Sequence, residues 1–401
     1  MVDGSVSPEA RRSTSFLFLP SLVLASFAIN PLSLIASFLL VDIAVTFESS
    51  VGVVSQLNTC AFGVSMILAL AMGLLSDRYD HKLLLLVGLI AMSFSCLGSG
   101  LASSFGLMFL LYSLSGIGLA IVNPMTTSLV GDYLQLDRRA GAVGLIMAAG
   151  SVAYLVGAPV SAVIAGTYGW RGAVLFFAVP VSVASLILAI VGLPSANRSH
   201  GASAGQGSIL ASIREVFSDR SAAFCLLGTV LRTAQFVAIV VYGPSFFRQR
   251  LHVSAEYASL LLAAAAFCYT VGSLGSWYLV NRLGRKRPTV LTAFLAGVFT
   301  ISYAYVSDFW ISVLLNLLAS WFSGALAATA VSLTLEQVPR FRGTMMSINS
   351  AAASLGNVIG GAVGGLTLLS LGYEGMGGIL GLMGMSAAAV YHFLTMDRAA
   401  T

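Results

Sequence analysis

Long apolar stretches separated by short polar segments run along the whole chain. Most reach the ~20 residues that a helix needs to cross the hydrocarbon core of a bilayer. They cover residues 13–41, 49–76, 83–131, 140–170, 172–197, 221–247, 257–281, 288–307, 309–335, 343–373 and 375–396. The stretch 83–131 is long enough for two crossings and contains a polar pair at Ser103–Ser104. Because no alternating strand pattern appears, the spans must be helical, and the pattern predicts twelve transmembrane helices.

Composition supports a membrane protein. Hydrophobic residues make up 58% of the 401 residues and charged residues only 9%, whereas a soluble domain carries about 25% charged residues. The apolar run after Arg11 and Arg12 is too long for a cleavable signal peptide and lacks a small-residue cleavage site, so we interpret it as the first span. The four cysteines lie inside spans without a CxxC pair, which predicts neither a disulfide nor a metal site, and no cofactor is expected.

Basic residues are distributed unevenly between the two sides of the membrane. If the N-terminus is cytoplasmic, 16 of the 20 lysines and arginines lie in cytoplasmic segments. This bias follows the positive-inside rule. We therefore expect a multi-pass protein of the cytoplasmic membrane with both termini in the cytoplasm. The topology also explains the net charge of +5, which therefore does not indicate a nucleic-acid partner.

The chain contains an internal repeat of six spans. Residues Arg139–Gly172 align without gaps on Arg342–Gly375, and eight of the 34 pairs are identical. A Gly/Ser-rich polar segment, SANRSHGASAGQGS, separates the halves and has the composition of a flexible linker. We therefore expect an all-α membrane protein with two pseudo-symmetric six-helix bundles, residues 1–193 and 221–401, joined by a cytoplasmic linker at 194–220 that contains a short amphipathic helix.

One polar segment is unusually rich in charge for this chain. GLLSDRYDHK, residues Gly73–Lys82, holds five ionisable side chains between two apolar runs, and NRLGRK, residues 281–286, echoes it in the second half. An acid in such a turn can face the N-terminus of a neighbouring helix, and a base can hold a helix C-terminus or a carboxylate such as Asp132 or Asp137. Recurrence in both halves favours a conformational latch, and the alternative is a segment that only sets orientation. The predicted latch residues are Gly73, Asp77, Arg78, Lys82, Asn281, Arg282, Gly284, Arg285 and Lys286.

These features resemble the major facilitator superfamily. GLLSDRYDHK is similar to the family signature between spans two and three, and GAPVSAVIAGTYGWR resembles the span-five motif of its twelve-span drug:proton antiporter and sugar or metabolite efflux branch. The resemblance implies transport by alternating access, bending of span five at Gly157 and Pro159, and the proton as a candidate coupling ion. Asp80 stands in place of a family glycine, and Tyr112 in place of a span-four arginine that the family ties to proton coupling.

One charge lies deep inside a span. Arg232 is eleven residues into the stretch that begins near Ser221, and a charge at a helix centre costs ~2.5–3.5 kcal/mol on insertion scales. It shares a helical face with Gln235, and this face is predicted to line a watery cavity and to offer donors to an anion. The alternative is a structural arginine that pairs with Asp42 or a helix C-terminus, or that extends towards the interface.

A polar stripe in the first span is a second candidate for solute contact. Asn30 and Ser33 lie on one helical face with two further serines, and Pro31 interrupts the helix beside them, as in the broken helices of transporter binding sites. Pseudo-symmetry would place this stripe opposite the span that carries Arg232. The predicted substrate-binding residues are Arg232, Gln235, Asn30, Ser33, Asn123, Tyr154, Tyr269 and Asn316.

Three functions fit this pattern. The leading hypothesis is a monomeric secondary transporter that works by alternating access and exports a small amphipathic organic solute or drug. An organic-anion exchanger or facilitator that uses Arg232 is the first alternative, since no carboxylate lies at mid-depth in a span. A non-transporting membrane sensor or assembly partner is the second. The sequence shows no nucleophile triad and no nucleotide-binding loop, so we do not expect an enzyme.

Overall fold

The structure, a computed structural model, describes residues 16–134, 136–194, 216–338 and 342–397. Its elements are helices. Numbered in chain order, the α-helices are α1 Phe18–Ala28, α2 Pro31–Phe38, α3 Leu40–Thr46, α4 Val51–Val54, α5 Gln56–Arg78, α6 His81–Leu101, α7 Phe105–Ser113, α8 Ser115–Tyr133, α9 Leu136–Ala173, α10 Val179–Gly192, α11 Arg220–Val237, α12 Gly243–Arg250, α13 Ala255–Leu283, α14 Lys286–Tyr305, α15 Phe309–Leu335 and α16 Arg342–Phe393. Two π-helical segments, Val174–Ala178 and Ala238–Tyr242, follow α9 and α11. We call residues 16–194 the N half and residues 216–397 the C half.

Polar turns gather at two ends of the helix bundle, because successive long helices run in opposite directions. The linker end carries the turn at 79–80 and the two residues, 194 and 216, that flank the segment between the halves. The far end carries the turns at 47–50 and 251–254. These two names are used below for position along the helices.

Within the described part of the chain, ten helical segments are long and apolar enough to cross a membrane. Two of them, Gly141–Gly192 and Met345–Phe393, contain 52 and 49 residues. At ~1.5 Å per residue each would extend about 75 Å, more than twice the ~30 Å hydrocarbon core. Each is interrupted once, at Gly169 with φ of 70° and at Gly372 with φ of 69°. Each segment therefore consists of two helices that meet at a glycine.

The internal repeat anticipates these two breaks. Gly169 and Gly372 are identical partners in the alignment of the two halves, and they share the same left-handed backbone, which glycine adopts without a Cβ clash. The predicted boundaries between the last two apolar stretches of each half, residues 171 and 374, lie two residues beyond these glycines. The repeat in sequence is thus a repeat in backbone geometry.

The first span is broken where the sequence predicts it. α1 ends at Ala28 and α2 begins at Pro31. Proline has no N–H to donate to the carbonyl four residues earlier, which is that of Phe27. The backbone N–H of Asn30 donates to this oxygen at 3.1 Å, and its side-chain Nδ2 lies 3.5 Å from it. Asn30 therefore supplies a hydrogen bond to the Phe27 carbonyl, which the proline leaves without its usual donor.

Small residues let the helices of the C half approach closely. Gly356 of α16 lies against Val230 and Thr233 of α11, and a Cβ added at Gly360 would come within 2.8 Å of Ala234 Cα. Close backbone approach of this kind is a usual mode of helix association in membranes. Large apolar side chains are displayed on the outside of both halves instead, as a surface in contact with lipid requires.

The segment between the halves is mostly outside the described residues. The predicted linker spans 194–220, and its predicted amphipathic helix falls largely in the part that the structure does not describe. Where description resumes, Val216 is buried against Val338 and Met345. Asp219 then caps α11, since its carboxylate accepts a hydrogen bond from Ala222 N at 3.1 Å.

Candidate functional site

A cavity of about 230 Å³ lies between the two halves. Its polar and aromatic lining residues include Ser33 and Tyr154 from the N half and Arg232, Gln235, Tyr269 and Asn357 from the C half. We call this cavity the polar lobe. The structure therefore brings together five of the eight predicted substrate-binding residues, namely Arg232, Gln235, Ser33, Tyr154 and Tyr269.

A second cavity of about 180 Å³ adjoins the first. The residues common to both walls are Tyr154, Phe236, Val240 and Tyr269. The remaining wall is mostly apolar and includes Ile239, Leu262 and Ala266, so we call this cavity the apolar lobe. The rings of Phe236 and Tyr269, whose centroids are 4.9 Å apart, form an aromatic pair where the lobes meet.

Arg232 is the only charged side chain among the described residues that line either lobe. Its Nε is buried without a hydrogen-bond partner, and it makes no ion pair with any described residue. The alternative pairing with Asp42 is wrong for this structure, because Asp42 accepts its hydrogen bonds from Arg248. Arg232 is half-buried, and a charge held partly away from water without an ionic partner is costly, so Arg232 is the main candidate for contact with a charged solute.

Gln235 lines the polar lobe, but its amide is already engaged. Its Nε2 donates to Thr300 Oγ1 at 2.6 Å, and its Oε1 accepts from Ser323 Oγ at 3.4 Å. Both partners belong to neighbouring helices of the C half. Gln235 therefore holds α11 against α14 and α15, and it can offer little free hydrogen-bonding capacity to a solute.

The polar stripe of the first span is divided between two tasks. Asn30 turns back on its own helix, with Nδ2 2.8 Å from Ser26 O. Ser33 instead donates across the N half to Asn58 Oδ1 at 3.1 Å. Tyr112, which stands at the family's arginine position, donates to the same oxygen at 2.6 Å. Sequence reasoning missed Asn58, an amide two residues after Gln56 in the first turn of α5.

Two predicted binding residues lie apart from both lobes. Asn123 of α8 faces the first span, where its Oδ1 accepts a hydrogen bond from Ser26 Oγ at 3.4 Å. Asn316 of α15 is buried, and its Nδ2 has no partner among the described residues. It points towards Gly243 within the C half, because a Cβ built there would lie 3.5 Å from Nδ2. Both side chains thus face the interior of their own half.

Asn357 lines the polar lobe and was missed by sequence reasoning. A signal for it existed, because the repeat that aligns 139–172 with 342–375 pairs Asn357 with Tyr154. Tyr154 was a predicted binding residue, and both side chains face the cavity from equivalent helices of the two halves. Pseudo-symmetry of the repeat would therefore have located Asn357.

The two halves are joined by polar contacts at the far end. Arg248 of α12 pairs with Asp42 of α3, with Nη2 2.9 Å from Oδ1, and Nη1 donates to Phe38 O at 3.2 Å. Nearer the cavity, the hydroxyls of Tyr242 and Ser55 are 3.0 Å apart. These contacts between the halves close the far end.

Backbone also meets backbone at the far end. A Cβ added at Gly365 of α16 would lie 2.8 Å from Gly52 O of α4. One helical turn further from the far end, Gln56 Nε2 donates to Gly361 O at 3.3 Å. Side chains larger than hydrogen at Gly52 or Gly365 would hold the halves apart, so this contact depends on glycine.

The first copy of the charged motif contacts its own half at the linker end. Lys82 Nζ donates to Ile190 O at 3.0 Å and also to Leu193 O, which are carbonyls at the C-terminus of α10. This is the favourable arrangement of a base at a helix C-terminus. His81 Nδ1 lies 2.6 Å from Asp132 Oδ2. Of the latch predictions, the side chains of Asp77, Arg78 and Asp137 lie outside the described residues, and Gly73 is described only as part of α5.

The two copies of the motif cap the following helix in different ways. In the first, Asp80 caps α6 by accepting a hydrogen bond from a backbone N–H of its first turn at 2.8 Å. In the second, Gly284 holds the equivalent place with φ of 76°. There Asp397 accepts from Arg285 N and Lys286 N at 3.2 and 3.1 Å. A carboxylate offsets the positive end of the helix in both copies, which explains the aspartate in place of the family glycine.

Side chains of the second copy also contact the C half. Arg285 Nη1 lies 3.3 Å from Glu336 Oε1. The guanidinium of Arg282 lies over the ring of Tyr278 at 4.4 Å, and Asn281 is exposed. None of these described contacts crosses to the N half, so they do not close the linker end.

The predicted hinge in span five is helical. Pro159 lies inside α9, and Ser161 Oγ donates to Gly157 O at 2.6 Å. The non-helical backbone within α9 is at Gly169. Gly157 packs against Phe177, with its built Cβ 3.3 Å from the ring. Bending at Gly157 and Pro159 stays a prediction about another conformation.

Curated relatives of this chain include two proteins named as MFS-type transporters and one named as a multidrug resistance protein. Multidrug resistance protein 2 of Bacillus subtilis is 24% identical over 347 residues, which cover 81% of this chain and 82% of that protein. The uncharacterized MFS-type transporter YwfA of the same organism is 24% identical over 369 residues, 89% of this chain and 87% of that protein. The uncharacterized MFS-type transporter Rv1250 of Mycobacterium tuberculosis is 34% identical over 135 residues, and this match spans only 23% of that protein.

Solved transporter structures share the fold. The D-xylose-proton symporter has a TM-score of 0.80 at 15% identity and covers 95% of this chain and 98% of its own. A bacterial homologue of the human lysosomal transporter Spinster, in an inward-facing and unoccupied conformation, has a TM-score of 0.71 at 18% identity, with coverage of 93% and 91%. The family model described as Major Facilitator Superfamily matches residues 21–255 and 224–400. This chain belongs to the Major Facilitator Superfamily of membrane transporters.

Proposed function

We propose that the protein is a secondary transporter that exports a small amphipathic organic solute by alternating access. The observation that carries the proposal is a cavity between the halves with one polar and one apolar lobe, because such a site suits a solute with both kinds of surface. Export is favoured by the relative named Multidrug resistance protein 2.

The proposed architecture has twelve transmembrane helices in two bundles. Ten segments qualify as spans, and two of these are each divided by a glycine with left-handed backbone, which supports a proposed count of twelve crossings. The bundles correspond to residues 1–193 and 221–401, with the linker at 194–220 between them. The basic residues favour a cytoplasmic location for the linker end and both termini, in the cytoplasmic membrane.

With that orientation, the closed far end faces away from the cytoplasm. The far end is held by Arg248 with Asp42 and by Tyr242 with Ser55. At the linker end, Lys82 contacts Ile190 O and Leu193 O within the N half, and Arg285 contacts Glu336 within the C half. We propose that the charged motif, with Asp77 at its centre, joins the halves when the far end opens. The far-end contacts would close one side of the protein in one state, and the charged motif would close the linker end in the other. A solute would then shift the population between these two states.

The coupling ion and the oligomeric state are proposed from the family resemblance alone. The proton is the candidate coupling ion, and the monomer is the proposed unit. Neither lobe has a carboxylate or histidine among its described lining residues. A proton site, if the transporter has one, would therefore use groups outside the described lining.

Closure of the far end can be tested with a single substitution at Gly365. In Gly365→Val, the added side chain would meet Gly52 O, a backbone atom that cannot rotate away. Everted membrane vesicles that contain the protein would be supplied with ethidium as a cationic probe and dansyl-glycine as an anionic probe. We expect the wild type to accumulate at least one of them and Gly365→Val to accumulate neither.

The matched control is Gly63→Val on α5, where an added Cβ meets no atom within 4 Å. This variant should transport like the wild type. Accumulation that does not depend on the protein, or normal transport by Gly365→Val, would contradict the proposal.

A further inference from the structure

We infer that the transported solute is an organic anion whose acidic group binds Arg232 and whose apolar body occupies the apolar lobe. This inference rests on the proposed function, which by itself does not specify the charge of the solute. It names a substrate class and assigns one chemical feature of the substrate to each lobe.

The charge of the solute follows from the partners of Arg232. Within the described lining of both lobes, Arg232 is the only ionic side chain, and its buried Nε has no partner. Guanidinium offers a planar set of donors that fits a carboxylate or a similar acid with two hydrogen bonds. A cationic solute would meet repulsion at this site, and a neutral solute would leave the charge unpaired.

A second donor is available beside Arg232. Asn357 lines the same lobe from α16, and no hydrogen bond joins it to a described residue. Gln235 is different, because its amide is engaged by Thr300 and Ser323. An acidic group at Arg232 would therefore have the Asn357 amide as a further polar partner from another helix.

The apolar lobe argues for an organic anion and against a small inorganic one. Its wall beyond the shared residues includes Ile239, Leu262 and Ala266. The Phe236–Tyr269 pair stands at its entrance from the polar lobe and offers ring faces and edges to an apolar or aromatic group. Inorganic phosphate or sulfate would use Arg232 and leave this wall without a contact.

The length of the solute follows from helix geometry. Arg232, Phe236 and Val240 follow one another at spacings of four along one face of the span. Eight residues at ~1.5 Å correspond to about 12 Å along the axis. Towards the far end the site is bounded by Tyr242 with its hydrogen bond to Ser55. The acid therefore lies nearer the linker end, and the apolar body points towards the closed far end.

The test compares 4-phenylbutanoate, which has the inferred features, with its neutral amide and with acetate, which lacks the body. Binding to the purified full-length protein in detergent is measured by titration calorimetry. We expect the acid to bind more tightly than the amide or acetate. Arg232→Lys keeps the charge but loses the planar fork, so it should weaken binding of the acid roughly five- to 150-fold. Arg232→Gln should remove the preference for acid over amide.

Two control variants make the result specific. Arg250→Gln removes an equal charge from the same half at an exposed ion pair with Glu374, outside both lobes. It should bind 4-phenylbutanoate like the wild type. Ala266→Leu fills part of the apolar lobe, so it should weaken 6-phenylhexanoate at least several-fold and leave phenylacetate nearly unchanged. Elution as a single monodisperse species checks that each variant is folded.

Equal binding of the acid and its amide by the wild type would overturn the inference, and so would normal acid binding by Arg232→Gln. Tight binding of a cation such as tetraphenylphosphonium with no binding of the acids would also overturn it. Each of these results leaves the transport proposal intact, because the vesicle assay with Gly365→Val tests closure whatever the charge of the solute. Conversely, acid binding without any transport in vesicles would remove the transport proposal and leave Arg232 as a binding site for organic anions.

Discussion

Removing the carboxylate of Asp42 should open the far end of the protein. Asp42→Asn keeps the size of the side chain but removes the charge that holds Arg248, the residue that ties α12 of the C half to α3 of the N half. The hydroxyl contact between Ser55 and Tyr242 would remain. The variant therefore weakens closure without adding bulk between the halves.

The expected size of the effect follows from burial. The side chain of Arg248 is 13% exposed and that of Asp42 is 39% exposed. A fully exposed ion pair contributes ~0–1 kcal/mol, whereas a hydrogen bond to a charged group contributes ~1.5–3 kcal/mol. Because Asp42 is partly screened by solvent, we expect a loss of about 1–2 kcal/mol, which changes the ratio of closed to open far ends by a factor of ~5–30.

The assay is a distance measurement across the far end. Spin labels at Ser50 and Ser370, both exposed, would report the separation of the halves by electron paramagnetic resonance. Asp42→Asn should increase the population at long distance. The matched control is Arg250→Gln, which breaks the pair with Glu374 inside the C half and should leave the distances unchanged. An unchanged distribution in Asp42→Asn, or the same change in the control, would refute the role of this ion pair.

Three further predictions concern the motif and the topology. Asp77→Asn should leave solute affinity within a few-fold but slow transport in proteoliposomes roughly tenfold, equivalent to about 1.4 kcal/mol, and normal turnover would reduce the motif to a topology signal. Single cysteines at Ser203 and Ser50 should react with a membrane-impermeant reagent from opposite sides, because the positive-inside rule places the linker in the cytoplasm. Asp397→Ala removes the acceptor for two N–H groups at the start of α14, so it should lower the free energy of unfolding in detergent by about 0.5–2 kcal/mol, and unchanged stability would contradict this capping role.

The spans and their breaks could be predicted from sequence, because both depend on local chemistry. A bilayer leaves no partner for exposed backbone, so each long apolar run must be a helix. Proline lacks a donor wherever it occurs, which sets the break at Pro31. The left-handed backbone at Gly169 and Gly372 recurs because the repeat conserves glycine at both places. The depth of Arg232 in the membrane could also be predicted, because it follows from the number of residues between Arg232 and the start of its own span.

Only the tertiary structure decided which side chains share a site. Asp42 pairs with Arg248, 206 positions away, and this choice is what leaves Arg232 without an ion-pair partner among the described residues. Asn30 satisfies its own helix, whereas Asn357 faces the cavity. Periodicity assigns a residue to a face of its helix, but the neighbour of that face depends on how the two halves pack. That packing differs between the conformations of a transporter, so the partners at the far end belong to one arrangement of the halves and not to the sequence alone.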